Sequence, residues 1–213
     1  MSGFRLPAFY PVLDTSVLAS RGLSATAAAE AILDAGARIL QFRHKEFFSR
    51  AVFEEAERVA KLCRAANALF VMNDRADLAA LLGAALHLGQ DDLAPADARK
   101  ILAPDGIIGF STHNREQLGA ADAEPVDYLA IGPIFATGSK QNPDPVVGLA
   151  ELRRLRKITK KPLAAIGGIR RETAGSVLEA GADSLAVIGD LYPQPLTTAA
   201  LGARTKEWLA VAS

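Results

Sequence analysis

Cysteine is almost absent from this 213-residue chain, which contains a single one, Cys63. One cysteine can form neither an internal disulfide nor a cage of thiolates around a metal ion. A reducing, cytoplasmic setting is therefore expected. Cys63 itself lies in a predicted helix, where a buried thiol commonly behaves as a small hydrophobic group.

Net charge is also lacking, because 24 Lys and Arg residues balance 24 Asp and Glu residues. Without a surplus of one sign, no overall field attracts nucleic acid or an acidic membrane, and neither is an expected partner. No apolar run reaches the roughly 18 to 20 residues that cross a bilayer. Residues 1–6 lack the basic segment and apolar run of a signal peptide. The sequence predicts a soluble protein that binds anions only through local groups.

The dominant pattern is a short apolar run followed by an alanine-rich amphipathic segment, repeated without a linker. This alternation predicts parallel strands joined by helical crossovers. Eight strands are predicted, at residues 9–13, 39–43, 69–73, 85–88, 107–110, 128–132, 163–166 and 185–188. Helical spacing of apolar residues predicts helices at 25–35, 51–65, 75–82, 115–121, 149–157 and 172–180.

Eight such units fit a (β/α)8 TIM barrel, a fold of the α/β class that commonly runs to about 200 to 250 residues as one domain. Residues 1–213 are therefore predicted to form a single catalytic barrel domain. A doubly wound open sheet would show the same alternation and stays an alternative. Several strands end in charged or polar residues, which favours the barrel, where all strand ends converge on one mouth.

Polar side chains at the end of the second predicted strand are spaced by two. Gln41, Arg43 and Lys45 therefore lie on one face of an extended segment. Two cations and an amide on one face suit a polyphosphate.

Carboxylates end the third predicted strand and follow the fourth. Asn73 and Asp74 stand at the first position and Asp92 at the second. Mg²⁺ prefers oxygen ligands and usually takes one or two protein carboxylates together with substrate phosphates, so Asp74 and Asp92 are the predicted metal ligands. The ordinary alternative is that Asp74 caps the following helix and Asp92 a turn before Pro95.

The loop after the sixth predicted strand contains Thr137, Ser139 and Lys140 and continues to Gly148. Two hydroxyls and an ammonium group make it a candidate anion cradle, and its length suggests a mobile flap. A solvated loop in which Lys140 contacts nothing would have the same composition.

Glycines end the last two predicted strands, at Gly167, Gly168 and Gly189. In this fold the loops after strands seven and eight often hold a phosphate, and glycine lets the backbone approach it. A second anion site is therefore predicted. Two anions at one mouth suggest joining or exchange between two phosphorylated small molecules.

Six strings of residues, in this order along nearly the whole chain, resemble those of the thiamine phosphate synthase family. They are QFRHK (41–45), NDR (73–75), HLGQDD (87–92), GFSTH (109–113), GPIFATGSK (132–140) and AIGGI (165–169). Any one string is weakly specific, but six in register are not. The resemblance implies an enzyme that joins hydroxymethylpyrimidine pyrophosphate to a thiazole phosphate, with Mg²⁺ as cofactor and pyrophosphate as the leaving group.

The resemblance also implies three groups of site residues. The groups that contact pyrophosphate and its metal would be Arg43, Lys45, Asn73 and Lys140, with Asp74 and Asp92 on Mg²⁺. The groups beside the pyrimidine would be Gln41 and Ser111. The groups around the thiazole phosphate and the flap would be Thr137, Ser139, Gly168 and the amides of Ile188 and Gly189. Arg43, Lys45, Asn73, Ser111 and Lys140 are the predicted catalytic residues.

The chain departs from the family pattern at four places. His44 stands where an acid is usual, Ala84 and Ala85 replace an acidic residue and a glycine, Gly138 and Ser139 replace a stricter threonine turn, and Gly189 replaces a common serine. Gly189 keeps a backbone amide but lacks the hydroxyl, so we expect an effect on affinity for the thiazole phosphate rather than on the reaction.

Two other functions fit parts of the pattern. The related thiazole tautomerase would use His113 as acid and base, but it has no pyrophosphate for Arg43 and Lys45 to bind. A non-catalytic sensor of phosphorylated ligands could use the same barrel. The sequence leaves the oligomeric state open, a homo-oligomer included.

Overall fold

The computed structural model describes residues 4–138 and 144–212. Eight strands pair in parallel in the order of the sequence, and the eighth pairs with the first to close a barrel. The strands are β1 (Phe9–Asp14), β2 (Ile39–Arg43), β3 (Leu69–Asn73), β4 (Ala85–Leu88), β5 (Ile108–Thr112), β6 (Tyr128–Ile131), β7 (Leu163–Ile166) and β8 (Ser184–Val187). The predicted (β/α)8 barrel is confirmed, and the open sheet was the wrong alternative.

Helices follow the strands and cover the outside of the barrel. They are α1 (Thr15–Ser20), α2 (Ala25–Asp34), α3 (Arg50–Ala65), α4 (Ala76–Leu82), α5 (Pro95–Ile101), α6 (Arg115–Asp122), α7 (Gly148–Leu155), α8 (Arg171–Glu179) and α9 (Thr198–Val211). Side chains at Ser24, Ser49, Asn114 and Thr197 accept hydrogen bonds from the first turns of four of these helices. Such caps explain where those helices begin.

Three helices and a short 3₁₀ helix at Gly189–Leu191 were missed by the sequence analysis. Helices α1 and α5 have only six and seven residues, too few for a clear period. Helix α9 is longer, but its apolar residues do not form one narrow stripe. Its Trp208 is fully buried and stacks on Phe9 of β1, with ring centroids 5.6 Å apart. Helix α9 is therefore held by tertiary contact rather than by a visible pattern.

Two apolar layers stabilise the barrel. The larger lies between the strands and the helices and includes Cys63, whose thiol pKa burial raises to about 12. The smaller fills the inside of the barrel, from Leu6, Tyr10, Ile39, Val71, Ala85, Tyr128, Ala130, Ala164 and Ala186. Within the described residues, no helix has the length and apolar character of a membrane span. The inner layer forms the floor beneath the strand ends.

Gly109 of β5 leaves space for the ring of Tyr128 on the neighbouring strand. A Cβ atom at Gly109 would lie 2.0 Å from Cζ and 2.4 Å from the hydroxyl oxygen of Tyr128. Tyr128 is fully buried, so its ring has no free space into which to move. The glycine therefore determines where the phenol lies inside the barrel.

We expect Gly109→Ala to lower the free energy of unfolding by about 2 kcal/mol or more, because the added methyl overlaps a ring that cannot shift. Urea denaturation measures the change. Gly119→Ala is the matched control, since Gly119 lies in exposed helix α6 with no atom within 4 Å of the added carbon. That control should gain about 0.5 to 1 kcal/mol through helix propensity. Equal effects of the two substitutions would contradict the steric explanation.

Candidate active site

A cavity of about 930 Å³ opens at the C-terminal ends of the strands. The size is within the range of sites that enclose small-molecule ligands. Eleven of the thirteen site residues predicted from the sequence line it: Gln41, Arg43, Lys45, Asn73, Asp74, Asp92, Ser111, Thr137, Gly168, Ile188 and Gly189. The other two, Ser139 and Lys140, lie outside the described residues. Their predicted roles therefore stay predictions.

The basic side of the cavity is held in place by carboxylates. Arg43 forms a short ion pair with Asp14, a buried residue at the end of β1. Asp14 also accepts hydrogen bonds from the backbone of Ser16 and Val17, so it caps α1 at the same time. Two constraints on one carboxylate restrict the Arg43 guanidinium to the cavity wall. The sequence analysis missed Asp14, although an aspartate that ends a strand and begins a helix was a usable signal.

Lys45 contacts the predicted metal ligands directly. Its Nζ lies 2.5 Å from Oδ2 of Asp74. Asp74 has φ of +65°, in the left-handed region that non-glycine residues seldom adopt. Strain of this kind persists where the surrounding structure determines the conformation, often at functional sites. The interpretation of Asp74 as a helix cap is wrong, because α4 begins at Ala76 and no side chain caps it.

The carboxyl groups of Asp74 and Asp92 are neighbours. Burial, together with the adjacent Asp92, raises the pKa of Asp74 to about 6, although Lys45 acts in the opposite direction. Oδ2 of Asp92 accepts a hydrogen bond of 2.6 Å from the amide of Gly89, so Asp92 also stabilises its own turn, as the ordinary alternative required. Two adjacent carboxylates that resist simultaneous ionisation form a pair whose repulsion a divalent cation relieves.

Asp74 and Asp92 are suitable as the protein ligands of a Mg²⁺ ion. In the described parts of the chain, no three Asp, Glu, His or Cys side chains cluster as a complete metal site. Mg²⁺ commonly takes only one or two carboxylates and completes its shell with water and substrate phosphates. The pair Asp74 and Asp92 therefore suits a metal that arrives with a phosphorylated substrate.

Asn73 has a polar atom without a partner. Its Nδ2 is buried and donates no hydrogen bond to any of the described residues, while the residue lines the cavity. A buried amide donor without a partner costs free energy, which a ligand oxygen would recover.

The glycines at the ends of β7 and β8 have two different surroundings. Gly167 and Gly168 have φ of +97° and +66°, and a Cβ at either would lie 2.5 Å from Pro133 or from the carbonyl oxygen of Ala136. Close contact with the loop after β6 is therefore enough to explain why both positions are glycine. Gly189 begins the 3₁₀ helix beside the cavity. The predicted phosphate cradle is thus formed of backbone from two adjacent loops.

Three aromatic residues of the site were not found from the sequence. Nδ1 of His87 lies 3.0 Å from the Tyr128 hydroxyl, and its Nε2 lies 2.9 Å from Oγ of Ser111. The Tyr128 hydroxyl in turn lies 2.8 Å from that of Tyr10, to which Gln41 donates. Burial lowers the pKa of His87 to about 4, so its ring is neutral at pH 7. His87 is therefore more than a core residue, because both of its ring nitrogens make hydrogen bonds.

His113 also lines the cavity. Its Nδ1 donates to the carbonyl oxygen of Gly132 over 2.7 Å and lies 3.5 Å from Oδ2 of Asp144. His44, the departure at the end of β2, is instead bonded to Thr15 and to the carbonyl of Phe47. His44 thus stabilises loops beside the cavity, and its replacement of an acid does not alter the cavity lining.

The fold and the cavity define a (β/α)8-barrel enzyme with its active site at the C-terminal rim. The family model described as thiamine monophosphate synthase matches residues 9–191. The chain belongs to this family.

Similar proteins with known names agree with this assignment. A thiamine-phosphate synthase of Koribacter versatilis is 49% identical over 197 residues, which cover 91% of this chain and 93% of the relative. One of Azorhizobium caulinodans is 42% identical over 192 residues, 90% of each chain. The solved structure of a thiamine phosphate pyrophosphorylase from Pyrococcus furiosus is 30% identical and superposes with a TM-score of 0.83, covering 97% of this chain and 95% of that one.

We expect Asp74→Asn to stabilise the metal-free protein increasingly as the pH rises from about 4 to 7. The folded-state pKa of Asp74 is raised to about 6, so its favourable contribution is present below the unfolded pKa and is lost as the pH rises through 6. Melting temperatures in the presence of a chelator measure the difference. Mg²⁺ should raise the melting temperature of the wild type but not that of the variant.

Asp77→Asn provides the control with the opposite sign. A hydrogen bond from Arg75 lowers the pKa of Asp77, which lies on the surface in α4. Removal of its charge should therefore slightly lower stability at neutral pH. Parallel melting curves for the wild type and Asp74→Asn across this range would contradict the assigned cause.

Proposed function

We propose that this chain condenses hydroxymethylpyrimidine pyrophosphate with a thiazole phosphate to form thiamine phosphate and pyrophosphate, with Mg²⁺. One observation carries the proposal: the cations Arg43 and Lys45 line the same cavity as the carboxylates Asp74 and Asp92, and Lys45 contacts Asp74. A site with both signs of charge suits a metal pyrophosphate, whereas a bare anion would need only the cations. Membership of the family and the names of the relatives support the reaction.

The pyrophosphate and its metal would occupy this wall. Arg43 and Lys45 neutralise leaving-group oxygens, and Nδ2 of Asn73 donates a hydrogen bond to one of them. Asp74 and Asp92 would hold Mg²⁺, which would supply charge neutralisation for the leaving group. Lys140 joins this set if the family pattern applies to the loop after β6.

The two rings would occupy the centre and the opposite side. Gln41 is hydrogen-bonded to Tyr10 and Ser111 to His87 at the cavity floor, and both would contact the pyrimidine. Thr137, Gly168, Ile188 and Gly189 line the side nearest β6 to β8, where the thiazole phosphate would lie. Ser139 is assigned to this side by the family pattern alone.

The reaction requires positioning and charge neutralisation more than acid or base chemistry. The bond between the pyrimidine methylene carbon and the pyrophosphate oxygen breaks, and both electrons leave with pyrophosphate. The amino group and ring nitrogens delocalise the cation that remains, and the lone pair of the thiazole nitrogen forms the new bond. Electrostatic stabilisation and orientation supply the acceleration, so no protein nucleophile is needed.

The partners of this reaction are two phosphorylated small molecules. The balanced charge of the chain supports neither nucleic acid nor an acidic membrane as a partner. The buried thiol of Cys63 suits a reducing compartment, and we place the protein in the cytoplasm on that ground.

The test combines the purified chain with both substrates and Mg²⁺ and measures thiamine phosphate and pyrophosphate, with and without a chelator. We expect equal amounts of both products and dependence on Mg²⁺. Asp74→Ala should lower kcat/KM by a factor of about 100 or more, since one of two metal ligands is lost. Asp97→Ala, which removes an exposed carboxylate of α5 paired with Lys100, is the matched control and should retain full activity.

Product formation unaffected by the chelator or by Asp74→Ala would overturn the metal assignment. Absence of product from a folded protein under every condition would overturn the synthase function. The search would then move to proton transfer on a thiazole substrate at His113.

A further inference from the structure

A chain of hydrogen bonds crosses the barrel at the cavity floor. Nε2 of Gln41 donates to the Tyr10 hydroxyl over 2.8 Å, and that hydroxyl lies 2.8 Å from the hydroxyl of Tyr128. The chain continues to Nδ1 of His87 at 3.0 Å and from its Nε2 to Oγ of Ser111 at 2.9 Å. We call these five side chains the relay. Its two ends, Gln41 and Ser111, both line the cavity.

The middle of the relay is almost completely buried. Tyr10 is 1% exposed and Tyr128 is fully buried. A hydroxyl hydrogen left without an acceptor there would cost the desolvation of a polar group. Each hydrogen of the relay must therefore find its acceptor within the relay or in the cavity.

With Nε2 of Gln41 facing Tyr10, this requirement determines the direction of every other bond in the relay. The Nε2 group of Gln41 can only donate, so the Tyr10 oxygen accepts and its own hydrogen goes to Tyr128. Tyr128 then donates to Nδ1 of His87, and the neutral imidazole carries its hydrogen on Nε2, which donates to Ser111. The Ser111 hydrogen is left for the cavity, and Oε1 of Gln41 is left as an acceptor.

The opposite direction requires the Gln41 carboxamide to turn from the orientation seen here, and it reverses both ends of the relay together. If the Gln41 carboxamide turns, Oε1 accepts from Tyr10 and Tyr128 donates to Tyr10. Nδ1 of His87 then carries the hydrogen, and Nε2 accepts from Ser111. Gln41 becomes a donor to the cavity and Ser111 an acceptor. The two ends therefore always present opposite roles.

We propose that Tyr10, Tyr128 and His87 are positioning residues that couple the hydrogen-bonding roles of Gln41 and Ser111. The site thereby selects a ring with an amino donor at one edge and a ring nitrogen acceptor at another. The inference rests on the proposed function only in identifying that ring as the aminopyrimidine. Gly109 supports it, because the absence of a side chain there is what allows the Tyr128 hydroxyl to occupy its place in the relay.

A pyrimidine with an oxo group in place of the amino group tests this selection. Its exocyclic atom accepts, whereas Oε1 of Gln41 in the observed direction also accepts. Binding would require the whole relay to reverse or would leave two lone pairs facing each other. A mismatch between the ring and Gln41 is therefore costly, because the Gln41 carboxamide cannot turn unless the other hydrogen bonds of the relay reverse with it.

The first experiment is made on the protein without ligand and reads the tautomer of His87 by ¹⁵N NMR. The chain has three histidines, so His44 and His113 are assigned by substitution. We expect the hydrogen on Nε2 in the wild type. Gln41→Glu offers only acceptors once its carboxyl group is ionised, which the ¹³C shift of that group reports. It should move the hydrogen to Nδ1, three hydrogen bonds away.

Interruption of the relay provides the control. In the Tyr128→Phe background, Gln41→Glu should no longer alter the His87 tautomer. If Gln41→Glu fails to fold, the affinity comparison with Tyr128→Phe described next tests the relay instead. A purely structural role for the two tyrosines would not move a tautomer at this distance.

The second experiment compares the affinity of 4-amino and 4-oxo hydroxymethylpyrimidine monophosphates, measured directly by isothermal titration calorimetry in the presence of Mg²⁺. We expect the wild type to prefer the amino form and Tyr128→Phe to reduce that preference about tenfold. Tyr192→Phe is the matched control: its hydroxyl is also buried, accepts from the amide of Asp14 and donates to the carbonyl of Val12. Its removal should leave the ratio of affinities unchanged.

The outcomes separate this inference from the proposed function. An unchanged His87 tautomer in folded Gln41→Glu, or an unchanged ratio in Tyr128→Phe, would overturn the relay even if thiamine phosphate is formed normally. A tautomer that follows residue 41 supports the relay, and absence of thiamine phosphate in that case would overturn the proposed function alone.

Discussion

The ladder between β1 and β8 closes the barrel, with Phe9 opposite Leu185 and Pro11 opposite Val187. Closure brings the C-terminal ends of all eight strands to one rim, so residues far apart in sequence become neighbours there. Asp14 reaches Arg43 across one strand boundary, and Lys45 reaches Asp74 across the next. An open sheet of the same strands would place β1 and β8 at opposite edges and would lose the enclosed cavity.

The site concentrates costs that the rest of the fold must offset. Asp74 combines a left-handed backbone with a carboxyl group whose pKa burial raises to about 6. Asn73 keeps a buried amide hydrogen without a partner among the described residues. Such features lower stability in the free protein, and a metal pyrophosphate would satisfy them together. The aliphatic layer between strands and helices, fully buried over most of its residues, supplies the opposing free energy.

Polar groups inside the barrel are arranged differently from those at the rim. At the rim, charges are paired only in part and can exchange partners with a ligand. Beneath the cavity, Tyr10, Tyr128 and His87 are paired completely and cannot change one bond without changing the others. A low-dielectric interior makes such a network rigid, because each unmade bond is costly there. These three residues thereby couple the hydrogen-bonding role of Gln41 on one side of the cavity to that of Ser111 on another.

The sequence by itself determined the eight strands with most of their bounds, six of the helices and the polar residues at several strand ends, because period, strand ends and local spacing are local properties. The alternation of side chains along a strand was enough to place Gln41, Arg43 and Lys45 on one face. Helix α9, the pairing of Asp14 with Arg43 and the use of both nitrogens of His87 depended on tertiary structure. Each requires knowledge of which strands are neighbours and how far apart two buried atoms lie, and distances across a closed barrel are set by its packing rather than by any spacing along the chain.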